Sequence, residues 1–143
     1  MTNSSNLIDS LEVYVLNNPD DVKPHWVSHF IVPTANELLI KIKNKNGNSG
    51  FGLATSYSDI SPIIKPFSNG LQDFIIGQDP FCPEKIYESI SKLTDTRISS
   101  EKGWSKEALI RISAALDIAC WDLMGKSLNI PLYRLFGGYR NKI

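Results

Sequence analysis

The 143-residue chain has little with which to staple, charge or anchor itself. Its two cysteines, Cys82 and Cys120, are far apart and have no third beside them. That excludes a zinc knuckle and a redox pair, and predicts two ordinary reduced thiols. Fifteen basic side chains are balanced by fifteen acidic ones, so no field draws in a polyanion; nucleic acid is not an expected partner. No apolar run reaches the length of a bilayer span, and the polar start "MTNSSN" has neither the basic nor the apolar part of a signal peptide. The expectation is a protein with no membrane segment in a cytoplasmic setting. No internal repeat, phosphate loop, metal cluster or nucleophile–base constellation stands out, which argues against a small self-sufficient enzyme.

The chain does contain alternation of two kinds. In 8–16, Leu11, Val13 and Val15 share one face while Glu12 and Tyr14 take the other, the signature of a strand. Leu38, Ile40 and Ile42 oppose Lys41 and Lys43 in a second strand, "NKNGN" supplies a turn, and 50–57 returns as a third. An antiparallel meander follows. About nineteen residues, 17–35, join the first two strands; they hold three prolines, both histidines, Trp26 and Phe30. A connection that long is unusual in a compact domain unless it has a use, and a covering flap is the predicted one.

Beyond Tyr57 the period changes to 3.6. A helix capped by Ser61 with Pro62 first is predicted, bent by Pro66 and weakened by Gly70 into two pieces. Pro83 opens the next, with Ile86, Ile90 and Leu93 as its stripe. "TDTRISSEKGW" reads as a polar loop, whose Arg97, Lys102 and Trp104 are placed to meet an anion or a neighbouring subunit. Ser105 then caps a long helix from Lys106 to about Ser127.

That last helix has two apolar faces. At 100° per residue, Ala108, Leu109, Ile112, Ala115, Leu116, Ala119 and Leu123 gather on one side, and Ile110, Ala114, Ile118, Trp121 and Gly125 on the other. Arg111, Asp122 and Lys126 occupy a narrow polar seam between them. Such a helix belongs between two layers, and the chain has residues for only one. The second strip is therefore predicted to be an interface, with Ala114 and Gly125 allowing close approach. Asp122 and Lys126, at i,i+4, read as a surface ion pair rather than as catalytic groups.

"ISAALDIACWDLMGKSLNIPLYRLFGG", from Ile112 to Gly138, resembles the helix that ends the amino-terminal capping domain of the mandelate racemase and muconate lactonizing enzyme branch of the enolase superfamily. Ser113 to Ala115, Asp117, Ala119, Trp121-Asp122, Gly125-Lys126, Pro131-Leu132 and Leu135 with the two glycines carry the match, and "IIGQDPF" at 75–81 resembles the family's link between cap helices. The resemblance implies an α+β fold, a three-stranded antiparallel meander followed by about three helices, occupying 1–138. Residues 139–143 would begin a linker or the first strand of a barrel absent from this chain.

It further implies an enzyme that abstracts the proton α to a carboxylate, as a racemase, cycloisomerase or sugar-acid dehydratase. Mg2+ would be held by barrel residues. No catalytic residue and no metal ligand is then assigned here; the expected partners are a barrel, a small hydroxy acid or sugar acid, and other copies in a homo-oligomer. Two cap loops shape the family's substrate pocket, which implies roles for His25, Trp26, His29, Thr55 and Tyr57. Other readings of the flap stay open: a histidine pair on one helical face binding metal, or plain surface residues, with Trp26 as pocket wall or loop anchor. Many family members end the third strand with Gly-aromatic-Gly-Glu, whereas "GFGL" puts Leu53 at the acidic position. The rival reading is a free-standing module that dimerises or binds a separate barrel through Ile110, Ile118 and Trp121.

Overall fold

The computed structural model describes residues 4–17, 23–32, 36–57 and 59–138, with the side chains of His25, Val27 and Phe30 left out. The predicted segment 139–143 lies outside these residues.

Three strands form the meander: β1 (Ile8–Leu16), β4 (Asn36–Asn44) and β5 (Ser49–Ser56), in the order β1-β4-β5 and antiparallel throughout. Leu38, Ile40 and Ile42 are fully buried on one face, with Leu11 and Val13 packed beside them. Asn44 caps the connecting turn by accepting the Asn48 N–H at 3.0 Å, and Gly47 takes φ +85 there. Between β1 and β4, the segment read as a flap contains a second, two-stranded sheet, β2 (His25–Val27) paired with β3 (Phe30–Val32).

The helices pack on the buried face. α1 (Ser61–Ser68) carries Pro62 in its first turn and ends as expected near Pro66 and Gly70; at φ +92, Gly70 turns the chain into a single 3-10 turn at Leu71–Phe74. Ser61 is inside the helix rather than its cap. The capping acceptor is Asp59, whose carboxylate takes the Ser61 N–H at 3.0 Å and its hydroxyl at 2.8 Å. α2 (Pro83–Lys92) buries Ile86 and Ile90, with Leu93 continuing the stripe.

The stretch read as a polar loop is mostly ordered helix. α3 (Arg97–Lys102) is capped by the Thr96 side chain and ends at Gly103, φ +64. Trp104 is buried, edge-on to Phe74 at 6.3 Å, and Lys102 donates to the Asn69 carbonyl at 2.7 Å while lying over the Trp104 ring. Arg97 pairs with Glu101. Trp104 and Lys102 join α3 to the core, because an indole has more apolar area to bury than a surface loop can leave wet.

α4 (Lys106–Leu128) dominates the packing, its first turn capped by the Ser105 hydroxyl, which accepts the Ala108 N–H at 3.1 Å. It runs back along β5 at backbone contact. A Cβ on Gly52 would sit 1.9 Å from the Ala115 carbonyl oxygen, and one on Gly50 would sit 1.9 Å from that of Ala119. Asn129, at φ +53, reverses the chain, and the Ile130 N–H closes onto the Gly125 carbonyl at 2.9 Å. α5 (Leu132–Leu135) then lies against the end of α4, with Gly137 and Gly138 at positive φ after it.

The two kinds of glycine predict different losses. Gly52→Ala forces α4 off the sheet and costs about 3 kcal/mol or abolishes folding. Gly77→Ala meets no atom within 4 Å but must hold φ +83, and costs about 1 kcal/mol. Urea denaturation followed by circular dichroism reads both.

Candidate functional site

Two regions hold the residues expected from the sequence to serve function, and the first lies at one end of the sheet. Leu16 pairs with Glu37, and Asn36 with Ser56, so the end of β1, the start of β4 and the end of β5 meet at one end of the sheet. The β2–β3 hairpin and the residues after β5 both leave from that end. Trp26 stands opposite Ile31; both are exposed, Trp26 at 75 %, while Val32 is buried. His29 is exposed in the turn between the strands.

His25 lies on β2 and its side chain is outside the described residues. A hairpin, not a helix, carries the histidines, so the spacing of four does not set them on a common helical face. Thr55 is half-buried near the end of β5, and Tyr57 follows it, exposed.

A charged group from α4 borders this end. Arg111 pairs with Glu107 at 2.8 Å, and its Nη1 donates to the Thr55 carbonyl. Ser56, Asp59, Pro62, Ser105 and Arg111 outline a cleft of roughly 50 Å³. The hydrogen bonds from Ser61 hold the Asp59 carboxyl below its usual range. Among the described residues, no group of three or more His, Cys, Asp or Glu converges to hold a metal ion. Those residues do not fit a magnesium site.

The second region is the outer ridge of α4. Its inward stripe is buried as the periodicity predicts. On the ridge Ile110 is 43 % and Ile118 52 % exposed, and Ala114 is exposed. Trp121 is half-buried, with the Phe136 ring tilted against it at 4.9 Å. Gly125 is buried: the Ile130 carbonyl and the Leu132 side chain would meet a Cβ there at 3.0 and 3.1 Å. The close approach expected at Gly125 is thus made by this chain's own residues 130–132. Tyr133 and Phe136 extend the ridge as exposed aromatics.

The polar seam does more than form an ion pair. Asp122 accepts from Lys126 at 2.5 Å and also takes the Phe51 N–H at 2.9 Å, while Lys126 lies over the Phe51 ring at 4.7 Å. Together with the Arg111 bond to Thr55, this closes the outer edge of β5 at two points. Sequence reasoning found the seam but missed the attachment. The available signal was Gly50 and Gly52 on one strand face against Ala115 and Ala119 on one helix face.

On the flank of α4 toward α2, burial pushes the Asp117 carboxyl up, opposed by a hydrogen bond from the Trp121 indole. Burial also pushes the Cys120 thiol up to about 12, with Asp117 adding to it. The folded chain keeps this proton to higher pH than the unfolded chain does. Its contribution to stability is therefore constant below about pH 9 and is lost between about pH 9 and about pH 12. A thiol reagent at pH 8 should modify exposed Cys82 in the native chain and reach Cys120 only after denaturation.

The comparisons with known proteins match this architecture. The model of the mandelate racemase / muconate lactonizing enzyme N-terminal domain covers residues 10–137. The chain is 32 % identical to the L-Ala-D/L-Glu epimerase of Clostridium acetobutylicum over 126 residues, 85 % of this chain and 32 % of the epimerase. It is 31 % identical over 134 residues to the D-gluconate/D-galactonate dehydratase of Picrophilus torridus, 94 % of this chain and 31 % of that enzyme. A racemase from Streptomyces coelicolor solved with bound magnesium superposes with a TM-score of 0.74 at 25 % identity, over 93 % of this chain and 36 % of that one. The chain spans about a third of the length of the curated relatives it matches. A family match over most of the chain, on an α+β meander-and-helix fold shared with that racemase, means that the chain belongs to the mandelate racemase / muconate lactonizing enzyme N-terminal domain family of the enolase superfamily.

Proposed function

We propose that this chain serves as the capping portion of an enzyme that abstracts the proton α to a carboxylate. The ridge of α4 docks onto a C-terminal barrel, and the loop end of the sheet lies over the barrel mouth. The observation that carries the reading is the open apolar ridge of Ile110, Ala114 and Ile118 on a helix whose opposite stripe is fully buried. Covering the exposed remainder of each isoleucine would contribute about 1 kcal/mol. Trp121 and Phe136 continue that surface.

In this reading Trp26, His29, Thr55 and Tyr57, with His25 on the same hairpin, face the substrate, a small hydroxy acid or sugar acid. They bind and enclose it; the acid, the base and the ligands of Mg2+ come from the barrel. Leu53 is exposed at the position where the family resemblance implies glutamate, so this cap offers no carboxylate there. Residues 139–143 lead into the barrel. Assembly of whole enzymes into a homo-oligomer and a cytoplasmic location belong to the same reading; no helix among the described residues is long and apolar enough to cross a membrane.

The test uses the 143-residue chain beside a fusion of it to the C-terminal part of the Picrophilus torridus dehydratase. The chain alone with Mg2+ should give no exchange of substrate α-protons in D2O, and the fusion should give exchange that the barrel part alone lacks. Ile118→Asp should cost the isolated chain about 1 kcal/mol and leave it folded, while lowering the fusion's activity at least tenfold. Exchange by the chain alone, or a fusion indifferent to Ile118→Asp, contradicts the proposal.

A further inference from the structure

The two edges of the meander are treated differently. α4 closes the edge of β5, through Asp122 at Phe51 and Arg111 at Thr55. Among the described residues, β1 at the other edge is closed only at its start, where the Ile8 N–H donates to the Gln78 carbonyl at 2.9 Å and the Gly77 N–H donates to the Ile8 carbonyl at 2.8 Å. A bulge between Ile8 and Ser10 follows, and from Ser10 to Leu16 the strand pairs regularly with β4.

Which backbone groups face outward follows from the register. The Phe51 N–H points away from β4, so Gly50 and Gly52 carry the β4–β5 bonds, with Ile42 and Ile40. Leu39 and Lys41 then bond toward β1, opposite Tyr14 and Glu12. Leu11, Val13 and Val15 are left with N–H and C=O turned outward, and among the described residues no partner meets them. Tyr14, Val15 and Leu16 are also exposed on both faces of the sheet, at 41–45 %. An edge whose outward backbone groups are unpaired, and whose single charge between Ser10 and Leu16 is Glu12, is a template for another strand.

We propose that the occupant is β1 of a second copy, paired antiparallel across a twofold axis at Val13, which joins two three-stranded sheets into one of six. Self-complementarity selects this occupant and register. The open stretch runs from Ser10 to Leu16, and its midpoint is Val13, so this axis pairs the whole of it. Leu11 then faces Val15 of the second copy and Val13 faces its own equivalent, making an apolar ladder on one face. On the other face Glu12 meets Tyr14 of the second copy, and no like charges oppose each other. An axis at Glu12 would set two carboxylates together. A twofold contact closes on itself and stops at the dimer. The pairing leaves the α4 ridge untouched and does not depend on the use proposed for it.

Sedimentation of the 143-residue chain over a concentration series, with amide exchange followed residue by residue, tests the pairing. A dimer is expected, in which the amides of Leu11, Val13 and Val15 slow at least roughly tenfold as it forms, while those of Glu12 and Tyr14, already bonded to β4, do not change. Val13→Pro removes an outward N–H that the sheet's own ladder does not use and should weaken the dimer at least roughly tenfold. Val15→Lys, which leaves the backbone intact, should weaken it too, so the result stands even where the proline variant folds poorly. A monomer at every concentration overturns the proposal. So does a dimer whose outward amides stay fast, or one abolished by Ile118→Asp but indifferent to both β1 variants.

Discussion

The contact between the α4 backbone and the bare face of β5 is the constraint on which the rest of the structure depends. Helices normally rest on sheets through side chains, with a layer of methyl groups between the backbones. Gly50 and Gly52 remove that layer, and Ala115 and Ala119 let the carbonyls come within reach of the strand. So close a seat fixes both the height of the helix and its rotation, since turning it would drive Leu116 or Ile112 into the glycine strip. One apolar stripe is thereby committed to the core and the other is left facing outward. The two faces visible in the sequence are two consequences of one docking geometry.

The same seat decides what happens to the sheet edges. Because α4 runs back along β5, Asp122 and Arg111 reach polar groups on the outer edge of the strand, an N–H at one end and a carbonyl at the other. A partly shielded carboxylate holding a backbone N–H and a lysine together is better satisfied than a solvated ion pair. Nothing comparable reaches β1 beyond Ile8 among the described residues. The domain thus has one closed edge, one open edge and one apolar ridge, and the two open features lie on different elements and call for different partners.

Much of this was legible in the sequence. Period-two alternation located the meander, and period 3.6 located α1, α2 and α4, because each buries one side of a simple repeat. Ser105 and Pro83 marked helix starts by chemistry that depends on only a few neighbouring residues. The errors came where tertiary contact overrides local pattern. "TDTRISSEKGW" reads as loop by composition, but burial of Trp104 against Phe74 and capping by Thr96 organise it as helix. Ser61 reads as the cap that Asp59 in fact provides, since either residue can serve and only the fold selects. Gly125 looked open because the return of residues 130–132 over it is set by the reversal at Asn129, which no periodicity describes. The long connection was visible as such, and its hairpin was not, since strands of three residues give too short an alternation to register.

For function, the chain belongs to the mandelate racemase / muconate lactonizing enzyme N-terminal domain family. A helix-on-sheet core presents a ridge on one side and two loops at one end. That account stands on the depth at which α4 sits. The most direct measurement is the set of nuclear Overhauser contacts between the Hα protons of Gly50 and Gly52 and the backbone protons of Ala115 and Ala119 in the chain in solution. The account predicts strong cross-peaks for both pairs. Their absence, with α4 contacting β5 only through longer side chains, would contradict it.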